Sequence, residues 1–296
     1  MVLQAPWPVL STGSRHAAVL GSPISHSLSP VLHLAAYRAL GLSHWSYDAH
    51  KVQASALGGF VAGLGPQWVG LSLTMPLKEA AFEVADEVTD LAAEVGAINT
   101  LVRRPDGGWS GHNTDVYGVS QALREAGCAQ VASAVVLGSG ATARSVVAAL
   151  ASLGCAKVTF AVRSAARQET LDQAGRAGLE VDVVGLCQVA DLLGDTRVVV
   201  STLPKNALPG NTLPENALTG RVFPKGPRPA GHLLLDVVYT GWPTPLARTF
   251  HEAGASVVSG LEMLVHQAAK QVALMTGMCP PVQEMRAAGL AAMGSR

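Results

Sequence analysis

The chain of 296 residues is 49 % apolar and only 14 % charged, which excludes a disordered protein and suffices for a sizeable core; at roughly 100–200 residues per domain it predicts two domains or one large one. Its 21 basic residues balance 21 acidic ones, leaving no surplus charge for a nucleic-acid backbone or an anionic membrane. Cys128, Cys155, Cys187 and Cys279 form no C-x-x-C pair, which argues against a zinc ribbon or a disulfide framework.

Residues 1–15 lack the basic region and apolar run of a signal peptide. The most apolar stretch, 131–153, is interrupted by glycines, alcohols and Arg144, so it predicts no membrane span. A soluble, cytoplasmic protein is expected.

The elements follow in chain order. Ala17–Gly21 predicts a strand, and Ser29-Pro30 a helix start with Ser29 as N-cap, stopped at Gly41. A strand is expected over Trp68–Met75, ending at Pro76, then a helix from Leu77 to Val88. Ala97–Arg103 reads as a strand, Asp106-Gly107-Gly108 as a turn, and Val116–Ala126 as a helix capped by Thr114. Ala134–Leu137 is a continuous apolar run, as in a strand buried on both faces. A helix to Leu153 follows it, and strands are expected at 157–162, 181–184, 197–201, 233–237 and 255–258. LPKNAL at 203–208 recurs as LPENAL at 213–218, which reads as a surface loop. Leu261–Thr276 is a long helical pattern closed by Gly277, and a short helix follows Pro281. The alternation of strands and helices predicts an α/β layer structure.

Between an apolar strand and a helix lies Gly138-Ser139-Gly140-Ala141-Thr142-Ala143-Arg144. In that context the first glycine permits the tight turn, the second lets backbone approach a pyrophosphate, and the helix N-terminus offers unpaired N–H groups. An NAD site usually has Asp or Glu about 20 residues further on, accepting from the ribose. Here the next strand ends in Arg163 and Ser164, followed by Arg167. Two guanidinium forks and a hydroxyl suit a 2′-phosphate, so NADP is expected rather than NAD.

Outside this half lie Ser27 and Ser29 at a helix start, Lys78 after Thr74-Met75-Pro76, Asn99-Thr100, and Asn113-Thr114-Asp115. Each has an ordinary reading as a cap or a solvated side chain. Strung at strand ends, they suit a cleft for a small polyhydroxylated acid. The histidines, among them His26, His33, His112 and His266, form no metal-ligand spacing, and no metal is expected.

GSPISHSLSP (21–30), LTMPLKE (73–79), VGAINTL (95–101), NTD (113–115), DVVYTGWPTPL (236–246) and GLEMLVHQA (260–268) together resemble the ordered motifs of the shikimate dehydrogenases, over most of the chain. The resemblance implies NADP-dependent, reversible reduction of 3-dehydroshikimate to shikimate, in the route to chorismate and the aromatic amino acids. It implies an N-terminal α/β substrate domain, a Rossmann-like doubly wound NADP domain, and C-terminal helices returning to the substrate domain. The expected boundaries are 1–114 with 260–296, and 115–259, with a hinge at the junctions.

By the same resemblance, Ser27 and Ser29 hold the substrate carboxylate, while Thr74, Asn99, Asp115, Gln267 and Tyr239 face the substrate. Lys78 is the proton donor and acceptor, with Asp115 beside it. Gly138, Ser139, Gly140, Ala141, Thr142, Arg163, Ser164, Arg167 and Gly260 line the cofactor. Ser72 stands where the family usually has Asn, and Val162-Arg163-Ser164 where it has Asn-Arg-Thr. An NAD-preferring quinate/shikimate dehydrogenase is the alternative enzyme, and an NADP-sensing binding protein without turnover the alternative outside enzymes. The expected partner is the small-molecule substrate, with no nucleic acid and no membrane, in a monomer or homodimer.

Overall fold

Residues 13–192, 196–204 and 232–294 are described here in a computed structural model. They form two units, one of the described residues up to 118 and from 264 onward, the other of those between 119 and 263. Both divisions fall inside helices.

In the first unit, β1 (Arg15–Gly21), β2 (Trp45–Lys51), β3 (Trp68–Leu73), β4 (Glu87–Val88), β5 (Thr100–Arg103) and β6 (Trp109–His112) make one sheet in the order β2-β1-β3-β5-β6-β4. β1 runs parallel to β2 and β3, whereas β5 is antiparallel to β3 and β6. Leu20, Leu71, Leu77, Ile98 and Leu101 are fully buried in its core. The helices are α1 (Ser29–Ala39), α2 (Leu57–Ala62), α3 (Leu77–Ala80), α4 (Asp90–Val95) and the start of α5 (Asp115–Glu125).

Three local expectations need correction. The helix expected over Leu77–Val88 stops at Ala80, passes through a 3₁₀ turn at Ala81–Glu83 and becomes extended at Glu87–Val88. Hydrogen bonding to β6 overrides helix propensity there: Asp86 pairs with Trp109 through its backbone N–H and its carboxylate, and Thr89 N–H donates to Gly111 O. Ser29 does not cap α1; it is the first helical residue, and its own N–H donates to Ser27 Oγ at 3.2 Å. Thr114 does not cap α5 with its side chain either, since Asn113 Oδ1 takes the Val116 N–H at 3.2 Å.

The second unit is built from β7 (Ser133–Leu137), α6 (Ala141–Ser152), β8 (Lys157–Val162), α7 (Gln168–Arg176), β9 (Glu180–Gly185), α8 (Val189–Leu192), β10 (Val198–Ser201), β11 (Leu233–Asp236), α9 (Pro245–Glu252) and β12 (Ser256–Ser259). All six strands are parallel, in the order β12-β11-β10-β7-β8-β9. Counted from β7, this is the 3-2-1-4-5-6 order of the Rossmann fold, which places a ligand crevice at the switch point beyond β7 and β10. Val135, Leu137, Val199 and Leu234 are buried between the helical layers, as continuous apolar strands of a parallel sheet must be. The repeat at 203–208 and 213–218 lies outside the described residues except for Leu203 and Pro204.

α10 (Gly260–Thr276) then leads back to the first unit, and α11 (Val282–Gly294) packs against α1. The result is a two-unit α/β fold with one Rossmann-like doubly wound unit and C-terminal helices returned to the other. Among the described residues, no helix is long and apolar enough to cross a membrane.

Candidate active site

In the first unit the site begins where β3 runs out. Leu73 N–H donates to Asn99 O, and Ile98 N–H donates to Lys78 O, so the segment before β5 is tied to α3 on both sides of Thr74–Leu77. Lys78 Nζ donates to Asp115 Oδ2 at 2.5 Å. Asp115 is buried, with 3 % of its side chain exposed, and Lys78 retains 15 %. The pair is therefore largely buried, where Coulomb attraction is screened less than at the surface.

Asn99 joins this pair to the C-terminal helix. Its Nδ2 donates to Asp115 Oδ1 and to Gln267 Oε1, both at 2.8 Å. Its Oδ1 accepts from Thr114 N–H at 2.7 Å and from Thr100 Oγ1 at 2.8 Å. The orientation of the amide has one solution: a backbone N–H can only donate, so oxygen faces Thr114, and nitrogen then faces the carboxylate. Lys78, Asp115, Asn99 and Gln267 are thus brought together in one hydrogen-bonded array.

Ser29 is buried, and Ser27, half-buried, accepts its N–H. Behind them, the His33 ring stacks on Tyr47 with centroids 3.9 Å apart, and its Nδ1 bonds to Ser29 O at 2.9 Å. Burial holds the His33 pKa down at about 4, with the Ser29 bond opposing that shift, so the ring is neutral near pH 7. Thr74 is half-buried and lies against Gly21, where any side chain would strike its methyl group.

In the second unit the glycine loop leaves β7 at the switch point. Gly138 has φ +98°, and a Cβ there would lie 2.8 Å from Thr202 Oγ1, so both backbone and space require glycine. Gly140 differs: its φ is an ordinary −84° and a Cβ there would meet open space. Ala141 and Thr142 form the first turn of α6, which carries no acidic residue to oppose an anion. Ser139 is engaged with the second loop: its Oγ accepts from Arg167 N–H at 3.1 Å and its O accepts from Thr170 Oγ1 at 2.7 Å. That tie holds the Arg167 backbone beside the glycine loop, and the side chains of Arg163, Ser164 and Arg167 are exposed.

Gly260 N–H donates to Val238 O at 3.3 Å, and a Cβ there would run into Val237 O; close backbone approach is the role the structure gives it. Tyr239 is half-buried in the loop after β11, in the second unit. The same loop starts at the buried Asp236, which accepts from Thr244 Oγ1 at 2.7 Å while Thr244 Oγ1 caps α9 at Ala247 N–H. Burial raises the Asp236 carboxyl pKa, partly offset by hydrogen bonds from Thr244, Val238 and Ser201.

Thr100 and Thr114, which the sequence places in the polar clusters, are hydrogen-bonded behind the site together with Tyr47, Ser72 and Gln271, to which the motifs assign no role. One signal was available: Gln267 and Gln271 are four apart on a helical pattern and so share a face.

A Rossmann-type unit with its glycine loop at the switch point, in one chain with a unit holding a buried lysine–aspartate pair, defines the class of two-unit α/β dehydrogenases. Residues 19–101 match the shikimate dehydrogenase substrate binding domain, and residues 260–288 the shikimate 5′-dehydrogenase C-terminal domain. Shikimate dehydrogenase (NADP(+)) of Synechococcus sp. strain JA-2-3B'a(2-13) is 36 % identical over 282 residues, which are 94 % of this chain and 96 % of that one. The crystal structure of Mycobacterium tuberculosis shikimate dehydrogenase superposes with a TM-score of 0.82 at 42 % identity, covering 94 % and 99 % of the two chains. The Thermus thermophilus enzyme, solved with NADP(H) and shikimate, gives 0.77 at 32 % identity with the same coverage. The chain belongs to the shikimate dehydrogenase family.

Proposed function

We propose that this chain is an NADP-dependent dehydrogenase that reversibly reduces 3-dehydroshikimate to shikimate. The observation that carries the reading is the array in which Asn99 holds Asp115 and Asp115 holds Lys78 at 2.5 Å, within a chain of this family.

The cofactor supplies hydride to the ketone carbon; the protein must bind, orient and manage one proton. Lys78 Nζ, with three donors and one of them on Asp115, can place another on the ketone oxygen. It stabilises the developing alkoxide and transfers the proton, and it accepts that proton back in the reverse direction. Asp115 fixes the direction of the ammonium and offers its remaining acceptor capacity to a ring hydroxyl. Ser27 and Ser29, at the start of α1, hold the carboxylate end, where helix N–H groups and hydroxyls favour an anion. Thr74, Asn99, Gln267 and Tyr239 serve the ring.

The open face at Gly140 fits a pyrophosphate, and the exposed Arg163 and Arg167 with Ser164 fit a 2′-phosphate. Ala141 and Thr142 supply backbone at the helix start; Ser139 and Gly260 act by holding the loops in place. The reading carries with it a domain for the substrate and one for the cofactor, with no nucleic-acid or membrane partner. It also carries a cytoplasmic location and a monomeric or homodimeric state.

A four-way assay tests it, crossing shikimate and quinate with NADP and NAD and following nicotinamide reduction. Turnover concentrated in shikimate with NADP is expected. A preference for quinate or for NAD would overturn the specificity, and no turnover in any arm would favour a binding protein.

A further inference from the structure

Behind the array lies a second layer of polar side chains, on β2, β3, β5 and α10 of the first unit. Ser72 on β3 and Thr100 on β5 are directly opposed across the antiparallel pair. Gln271 of α10 spans the two hydroxyls: Ser72 Oγ donates to Gln271 Oε1 at 2.9 Å, and Gln271 Nε2 donates to Thr100 Oγ1 at 2.9 Å. Tyr47 of β2 donates to Ser72 Oγ at 2.6 Å. Ser72, Thr100, Gln271 and Tyr47 are all buried, Thr100 completely.

The direction of this chain is fixed from one end. Asn99 Oδ1 faces the Thr114 N–H and can only accept, so the single proton of Thr100 Oγ1 goes to it. Thr100 then needs a donor from Gln271, which turns Gln271 nitrogen toward Thr100 and oxygen toward Ser72. Ser72 gives its proton to Gln271, and Tyr47 must give its own to Ser72. Every hydroxyl proton points toward Asn99, and Asn99 in turn points at Asp115 and Gln267. Such chains polarise one another, and a member without its partner is costly when buried.

We propose that Gln271 is a positioning residue for proton transfer: through Thr100 it holds the Asn99 amide in the one orientation that presents donors to Asp115 and Gln267, and so keeps Lys78 aimed. It touches neither substrate nor cofactor. The inference rests on the dehydrogenase reading above and extends it to the layer behind the site. Ser72, at a position where asparagine is usual in the family, is small enough to leave Gln271 this place between the strands.

Gln271→Met keeps the shape and removes both hydrogen bonds. Gln271→Glu keeps the shape and the acceptor at Ser72 but replaces the donor at Thr100 by a second acceptor, drawing the Thr100 proton away from Asn99. Both are expected to lower kcat about tenfold or more, as small misalignment of reacting groups does, with the KM for NADP unchanged. In an Asn99→Ala background, Gln271→Met is expected to add no further loss of kcat, because its effect runs through Asn99.

Wild-type kcat in both variants, or losses that multiply with Asn99→Ala, would overturn the proposal. Should Gln271→Met fail to fold, Thr100→Val cuts the chain one step nearer Asn99 and takes its place in the same cycle. Should the wild-type protein turn over neither shikimate nor quinate, the dehydrogenase reading fails by itself. Hydrogen exchange of the Asn99 side-chain amide, followed by NMR, then decides on Gln271. Protection lost in Gln271→Met supports its positioning role, and protection retained refutes it.

Discussion

The ammonium of Lys78 meets Oδ2 of Asp115 at 2.5 Å, although the two residues stand 37 positions apart in sequence and on different elements. The other oxygen of that carboxylate takes the Asn99 amide. Asp115 is therefore held from two sides, and Lys78 from one, leaving the lysine as the member with donors to spare.

Replacing Lys78 by Met is expected to retain cofactor affinity and to cost turnover by about 10²–10⁴, the range for a general acid–base group. Steady-state rates beside a fluorescence titration with NADPH would check both halves. A variant with near-normal kcat would remove Lys78 from proton transfer.

Gly138 and Gly140 make contrasting predictions. Gly138→Ala forces a side chain onto φ +98° and against Thr202, and is expected to destabilise the second unit by roughly 1–3 kcal/mol. Gly140→Ala meets no protein atom, so unfolding in urea should be unchanged while NADP affinity falls. A stable Gly140→Ala protein with intact affinity would remove that face from the cofactor site.

Arg163 and Arg167 are exposed, and their joint change to Ala is expected to alter stability by less than about 0.5 kcal/mol. The KM for NADP should rise at least tenfold and that for NAD should stay within about twofold, reflecting loss of charge-assisted bonds to a 2′-phosphate. Equal effects on both cofactors would point away from the phosphate.

His33 sets a pH dependence of stability. Its pKa falls to about 4 on folding, chiefly through burial, from an ordinary value of 6.5. Its depressed folded pKa means the unfolded chain binds the proton first as pH drops. The stabilising contribution is thus complete above about 6.5 and is lost as pH falls toward 4, to a total of about 3 kcal/mol. Denaturant midpoints measured across that window should fall more steeply for the natural protein than for His33→Gln; parallel curves would assign the acid sensitivity elsewhere.

How much of this was legible in the sequence differs between the units. The second unit's inner strands are buried almost throughout and read as largely apolar runs, so β7, β8 and β11 are placed within a residue or two. In the first unit, β2 is an edge strand whose buried positions hardly alternate (Tyr47 is buried, Asp48 and Ala49 exposed), and β4 exists only because β6 captures it. Lys78, Asp115, Asn99 and Gln267 were visible as motif members. The joint role of Ser72, Thr100 and Gln271 was not, since serine, threonine and glutamine are common everywhere. What gives them meaning is a strand register, which no local pattern encodes.

The passage from one unit to the other also has a consequence for dissection. Both crossings, at 118/119 and 263/264, fall within α5 and α10 rather than in loops. A fragment of 119–263 would open in the middle of one severed helix and close in the middle of another. It would forfeit the Asn113–Val116 cap of the first and most of the length of the second. The chain enters and leaves the second unit through helices, so expressing that unit alone would call for rebuilt helix ends rather than a simple cut.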